Sequence, residues 1–265
     1  MAKPQSLGEI GASLLALLHL AESACQLQVG SFQFGMRTIS VFAQRSVAGI
    51  PWQDALVPNA NGGMGDYPLY ILSRADYDFG WARTTPLAAY GFARDLENLG
   101  WLVMADPEAQ TLVALHVESR RALLLARTTP APRHQAEFMR GLAHWHSVLD
   151  GNFLLHAGAV SHRGRVALVL GKGGSGKTSL VLHCAHSGWK FLGDNVVEVG
   201  FAAGEPLAAL VYPTAKVRRN SIRFEALTQG AYDPENGKDI FFLQRSEVNL
   251  HAGAAPVVGC VMLAP

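Results

Sequence analysis

Apolar residues recur at helical spacing over residues 5–24, where Leu7, Ile10, Leu14, Leu17 and Leu18 fall near one side of the turn. From Cys25 the rhythm shortens. The stretch CQLQVGSFQFGMRTISVFAQ alternates around Gly30 and Gly35 and predicts a strand pair with a turn or bulge. Residues 51–68 contain NANGGMGD and predict a long loop. With no lysine and no helix behind them, those glycines serve turn chemistry rather than a phosphate cradle. YPLYILSRADYDFGWAR follows, then a short helix near Leu87 to Leu99. The runs GWLVMAD and QTLVALHVES predict a hairpin, with RALLLART as a third strand. Residues 25–129 thus read as a mostly antiparallel open sheet without a catalytic constellation. A helix is predicted over Arg133 to Leu149, with Phe138, Leu142, Trp145 and Leu149 on one face.

The second half has a different texture. NFLLHAGAV reads as a strand that turns at SHRGR and pairs with VALVL. VALVL is a continuous apolar run, the pattern of a strand buried on both faces of a parallel sheet. TSLVLHCAHSG predicts a helix stopped by Gly188, and Trp189 to Leu192 a short strand ending near Asp194. VVEVG and LAALVYP predict another hairpin. Beyond it lie the basic segment TAKVRRNSIRF, the polar loop GAYDPENGKD, IFFLQ and the apolar ending VVGCVMLAP. That ending resembles a central strand without cover, which implies a missing segment or pairing with another chain, including a second copy of this one.

Composition narrows the classes. Of 265 residues, 49% are hydrophobic and 16% charged, enough apolar material for one large or two ordinary domains. The expected division is 1–150, a smaller α+β domain for substrate recognition or assembly, and 151–265, an α/β phosphate-loop domain truncated at its C-terminus. A net charge of +1 gives no reason to expect nucleic acid or an acidic membrane as partner. Cys25, Cys184 and Cys260 are widely spaced and odd in number, fitting neither a disulfide framework nor a four-thiolate zinc site, so a reducing, cytoplasmic setting is expected. Glu9, His19 and Glu22 interrupt the N-terminal apolar run, so a packed amphipathic helix is expected there and no stretch of membrane length.

One motif specifies a chemistry. GKGGSGKTS, Gly171 to Ser179, meets the template G-x-x-x-x-G-K-[ST] through Gly171, Gly176, Lys177 and Thr178. It lies between an apolar strand and a helix, the order the mechanism requires. Backbone N–H groups of the glycine-rich turn, with Gly173, Gly174 and Ser175, and of the first helical turn through Ser179 converge on phosphate oxygens, assisted by the helix dipole. Lys177 would place its ammonium between the terminal phosphates, and the Thr178 hydroxyl would bind Mg²⁺. Asp194, at the carboxyl end of a neighbouring strand, is where open α/β sheets hold ligands, and there it would accept a proton from an acceptor hydroxyl, coordinate magnesium, or do both. Lys216, Arg218 and Arg219 would bind transferring phosphate or an acidic substrate, or form a solvated face, and Lys238 is a candidate phosphate contact. His183 and His186, and likewise His144 and His146, lack the partners or the shared face for a metal.

LLHAGAV, VALVLGKGGSGKTSL, GWKFLGDN and the later basic segment together resemble the C-terminal catalytic domain of the HPr kinase/phosphorylase superfamily, over roughly residues 152–265. The resemblance implies a kinase fold of the HPr kinase / phosphoenolpyruvate carboxykinase type. His156 matches the family's histidine on the strand before the loop, and the resemblance gives it the role of orienting Asp194 or the acceptor. Lys177 and Thr178 match the phosphate lysine and magnesium hydroxyl, and Asp194 matches the first residue of an acidic pair whose second position here is Asn195. No copy of the stretch that recognises HPr is present, so HPr is not the expected substrate.

Two functions remain open. One is an ATP- and Mg²⁺-dependent kinase acting on a hydroxyl of a peptide, protein or small metabolite, with Asp194 as base. The other is a nucleotide-binding regulatory or scaffolding protein without transfer activity. A GTPase is disfavoured by the absence of an N-K-x-D motif, and a helicase or transport ATPase by the absence of a long strand ending in Asp-Glu.

Overall fold

The computed structural model describes residues 6–25, 27–44, 56–59, 63–73, 77–85, 87, 92–127, 132–218, 229–233, 237–243 and 248–264. The elements run in the order α1 (Leu7–Ala24), β1 (Leu27–Phe34), β2 (Arg37–Ala43), β3 (Val57–Pro58), β4 (Tyr67–Ser73), α2 (Gly80–Thr84), a 3-10 helix (Arg94–Leu99), β5 (Trp101–Asp106), β6 (Thr111–His116), β7 (Arg121–Ala126) and α3 (Pro132–Leu149). There follow β8 (Phe153–Leu155), β9 (Gly158–His162), β10 (Arg165–Gly171), α4 (Lys177–His186), β11 (Lys190–Gly193), β12 (Val197–Ala202), β13 (Glu205–Leu210), β14 (Thr214–Arg218), β15 (Gln229–Asp233), β16 (Lys238–Phe242) and β17 (Ala254–Leu263). The chain is mixed α/β and divides into two compact units. One comprises residues 1–32, 38–51 and 60–146; the other comprises 33–37, 52–59 and 147–265.

In the first unit α1 begins where Ser6 and Glu9 form a reciprocal cap: Glu9 Oε2 accepts from Ser6 N at 2.7 Å, and Ser6 Oγ accepts from Glu9 N at 3.3 Å. The helix is 18 residues with mean hydropathy 1.2, so by length and composition it reaches a membrane span, contrary to the expectation from its charged interruptions. Its stripe of Ile10, Leu14, Leu17, Leu18 and Ala21 is instead buried in a core with Trp81, Leu96, Trp101, Val103, Leu123 and Leu125.

Six strands of this unit follow the order β1-β2-β4-β7-β6-β5. The β5-β6-β7 meander has the antiparallel pairing expected of it. β2 pairs with β4, and β4 with β7, in parallel, which corrects the expectation of a mostly antiparallel sheet. Apolar alternation reports which face a strand buries but carries no information on its direction relative to a neighbour. The short helix predicted near residues 87–99 is the 3-10 helix from Arg94, and α2 is an element the periodicity did not disclose. The predicted loop at 51–68 lies partly outside the described residues.

In the second unit the strand order is β11-β9-β10-β17-β13-β12-β8. β10 buries Val166 and Leu168 on one face and Val169 on the other, as a continuous apolar run should. Its neighbours are parallel β17 and antiparallel β9, so the sheet is mixed rather than purely parallel. α4 covers one face with Val181, Leu182 and Ala185, in a core shared with Ala215 and Val217 of β14 and Leu243. β14, β16 and β15 form a separate three-stranded sheet. β17 is central in order yet exposed from Val258, at 61%, to Met262, at 70%.

The stretch read as one strand at 152–160 breaks in two, β8 pairing with β12 and β9 with β11. The partners Leu155↔Val197 and Ala159↔Gly193 lie on one antiparallel register. The break at His156 and Ala157 therefore faces the break at Asp194 to Val196. Two interrupted strands run side by side, and both interruptions fall at the same level.

Candidate phosphate-binding and phosphoryl-transfer site

β11 is antiparallel to β9, and β9 to β10, so β10 and β11 run in the same direction. Their carboxyl ends, Gly171 and Gly193, consequently lie on one edge of the sheet, where α/β folds expose backbone groups to ligands. The GKGGSGKTS loop leaves the first and Asp194 follows the second.

The loop has the backbone its glycines permit. Gly174 and Gly176 adopt φ of +84° and +94°, and a Cβ on either would meet nothing within 4 Å, so the turn is open on its concave side. At Gly171 a Cβ would lie 2.6 Å from Ser175 Oγ and 3.0 Å from Leu263 O, so this position admits no side chain. Gly176 is the N-cap of α4 and supplies no side-chain cap, and the first turn carries no acidic residue. The helix N-terminus is thus left for an external anion.

Lys177 is 7% exposed and donates from Nζ to Gly171 O at 2.8 Å and Lys172 O at 3.0 Å. These bonds hold its ammonium against the loop's own backbone. Ser175 Oγ is buried without a hydrogen-bond partner among the described residues, an orphan that a phosphate oxygen would satisfy. Gly173 is exposed, and Ser179 is half-buried on the first turn of α4. The residues of the loop therefore fit a nucleotide phosphate.

Asp194 is 3% exposed. Its Oδ1 accepts from Thr178 Oγ1 at 2.8 Å and its Oδ2 from Lys216 N at 3.1 Å, so one carboxyl connects the first turn of α4, the end of β11 and the edge of β14. Burial pushes the carboxyl above its ordinary range; the Lys216 and Thr178 hydrogen bonds and the charges of Lys238 and Lys177 pull the other way. A carboxyl so placed is a stronger base than one in water. Among the described residues no three His, Cys, Asp or Glu side chains cluster. A Mg²⁺ ion needs no such cage, since one carboxylate, a hydroxyl, phosphate oxygens and water suit it. Thr178 and Asp194, joined by their hydrogen bond, are the side chains here that could hold one.

Asn195 follows with φ of +76°, a left-handed backbone that asparagine tolerates and most side chains do not. Its residue type has a backbone reason whatever its side chain contributes to the site. His156 is exposed at the facing break in β8–β9, and its expected hydrogen bond to Asp194 is not formed: the Asp194 oxygens accept from Thr178 and Lys216. The fold places His156 in the break that faces residues 194–196, without joining it to Asp194.

Of the basic candidates, Lys216 and Arg218 lie on β14 and Lys238 begins β16, its charge acting on Asp194. Arg219 lies outside the described residues. His183 and His186 are exposed on α4, while His144 is exposed and His146 buried on α3. The contribution that sequence reasoning missed is the backbone N–H of Lys216, for which no side-chain pattern gives a signal.

No family model and no curated protein matches the chain. Among solved structures it is similar to the HPr(Ser) kinase/phosphatase from Coxiella burnetii, with 12% sequence identity and a TM-score of 0.31, covering 41% of this chain and 58% of that one. The likeness is distant, and the chain spans little more than half of that protein.

Proposed function

We propose that the chain is an ATP- and Mg²⁺-dependent phosphotransferase that moves the γ-phosphoryl group to a hydroxyl of a peptide, protein or small metabolite, its second unit being a kinase domain of the HPr kinase / phosphoenolpyruvate carboxykinase type. The observation that supports this most is the 2.8 Å hydrogen bond from Thr178 to Asp194. It joins the metal-binding hydroxyl of a phosphate loop to a buried carboxylate at the end of a parallel-running strand, and phosphoryl transfer needs both within one small volume.

Mg²⁺, held by Thr178 and Asp194, would neutralise charge on the phosphate oxygens. The loop amides and the α4 N-terminus bind the phosphates and fix their orientation. Lys177 stabilises the charge that grows on the leaving oxygens. As the γ-phosphorus bond to the bridging oxygen breaks and ADP departs, the acceptor oxygen forms the new P–O bond and its proton passes to Asp194. His156, exposed in the facing break, would contact the acceptor.

The test is incubation of the full-length protein with γ-labelled ATP, Mg²⁺ and a host extract, read by mass spectrometry, beside Lys177→Ala. Gain of one phosphoryl group on one molecule, lost in the variant, is the expected result. Tight nucleotide binding with no labelled acceptor would instead establish a regulatory or scaffolding protein.

A further inference from the structure

β17 lies between β10 and β13, but its two neighbours do not cover the same residues. β13 pairs with Ala254 to Pro256, whereas β10 pairs in parallel from Val257 to Leu263. Among the described residues, then, the edge of β17 turned away from β10 has no strand beside it from Val257 to Leu263. One strand further in, Leu168 and Val169 of β10 are buried, while the residues paired with them, Cys260 and Val261, are exposed, Val261 at 45%. The exposure is therefore that of a sheet edge, and the neighbour that would relieve it is a further strand in the plane of the sheet.

Exposed edges are ordinarily blunted by charge or proline. The run from Val257 to Leu263, VVGCVML, contains neither, and Asp, Glu, Lys and Arg are absent throughout Ala252 to Pro265. An uncharged edge selects an uncharged apolar strand as its partner, and β17 is itself such a strand. With a net charge of +1, two copies of the chain have no bulk repulsion to overcome. In a two-fold antiparallel pair within one sheet each residue keeps its face, so one residue must stand opposite itself. Cys260 is the midpoint of the free stretch. With the axis there, Val258 of one copy stands opposite Met262 of the other, and the reverse. At 61% and 70% these are the most exposed large side chains of the strand, and they project to the same face as Cys260.

We propose that the Val257 to Leu263 edge is a homodimer interface, in which two copies of this chain join their β17 strands antiparallel about Cys260 to make one continuous sheet. Backbone hydrogen bonds along the shared edge hold the pair, and Val258 and Met262 pack across it. The proposal does not depend on the kinase reading of the site.

Sedimentation of the full-length protein tests this, with far-UV circular dichroism as the check on folding. The wild type is expected at twice the chain mass. Val258→Lys combined with Met262→Lys sets like charges opposite each other at both crossings, as does Val258→Glu combined with Met262→Glu. Each of these double variants is expected as a monomer, its dimer weakened by about tenfold or more. Mixed in equal amounts, the two are expected to combine at twice the chain mass, because every crossing is then an opposite pair, and that recovery shows both to be folded. Val258→Glu with Met262→Lys in one chain is expected to dimerise for the same reason. A monomeric wild type would overturn the proposal and leave the edge to a different chain. Dimers that persist in both like-charge variants would overturn it by assigning the contact to another surface. Like-charge monomers that do not combine on mixing would overturn the pairing about Cys260.

Discussion

Thr178 Oγ1 donates to Asp194 Oδ1 at 2.8 Å, so a residue on the first turn of α4 and one just past the end of β11 act as a single group. Asp194→Asn removes the charge and the proton-accepting oxygen while keeping the volume. Labelled transfer should fall by about 10²–10⁴-fold, the range for loss of a general base. The melting temperature should change little, because relief from burying a charge opposes the mismatch between the new amide and the Lys216 N–H. Undiminished transfer would show that Asp194 is not the base.

Elsewhere in the second unit, Glu198 is completely buried beneath the tip of the β1–β2 hairpin. It accepts from Arg37 Nη2, from Met36 N at 2.7 Å and from Asn152 Nδ2 at 3.1 Å, while Arg37 Nε donates to Asp150 at 2.8 Å. Removing one member of a buried pair leaves the other uncompensated, so Glu198→Ala should cost about 3–5 kcal/mol in denaturant unfolding. Gly35 should be nearly as sensitive, since a Cβ there would lie 1.7 Å from Glu198 Oε2. A loss under about 1 kcal/mol, the worth of an exposed pair, would show that the network is solvated.

Asn195 offers a backbone test. With φ at +76°, Asn195→Gly should be tolerated, whereas Asn195→Val should destabilise by about 1–2 kcal/mol. Thermal melts of the two variants separate the outcomes, and equal stability would exclude a left-handed conformation.

His251 Nδ1 lies 2.9 Å from Ser161 Oγ, and burial first, then the nearby charge of Lys190, holds its pKa below 6.5. The unfolded chain therefore takes up this proton first as pH falls. Stability from this residue is present above about pH 6.5 and declines as the solution is acidified through that value. The drop in melting temperature between about pH 7.5 and pH 5 should be smaller in His251→Gln than in the wild type.

Much of this was legible in the residues. The phosphate loop, the helix behind it, the β5-β6-β7 meander and α3 follow from period and punctuation, because each is decided by interactions a few residues apart. The parallel pairing of β2, β4 and β7 was not legible, since direction in a sheet is set by how distant segments come together. His156 shows the same limit: the sequence placed it on a strand before the loop, and only pairing with β11 and β12 showed that the strand breaks there, facing the break between those two strands.

By itself the sequence determined that a glycine-rich loop of the phosphate-binding pattern lies between a buried strand and a helix, because glycine, lysine and threonine at that spacing shape it locally. Only the tertiary structure decided what faces the cradle. Asp194 meets Thr178 because two strands share a direction across an intervening one, and it meets the Lys216 amide because β14 runs beside it. Both are long-range placements of backbone, which residue type does not encode.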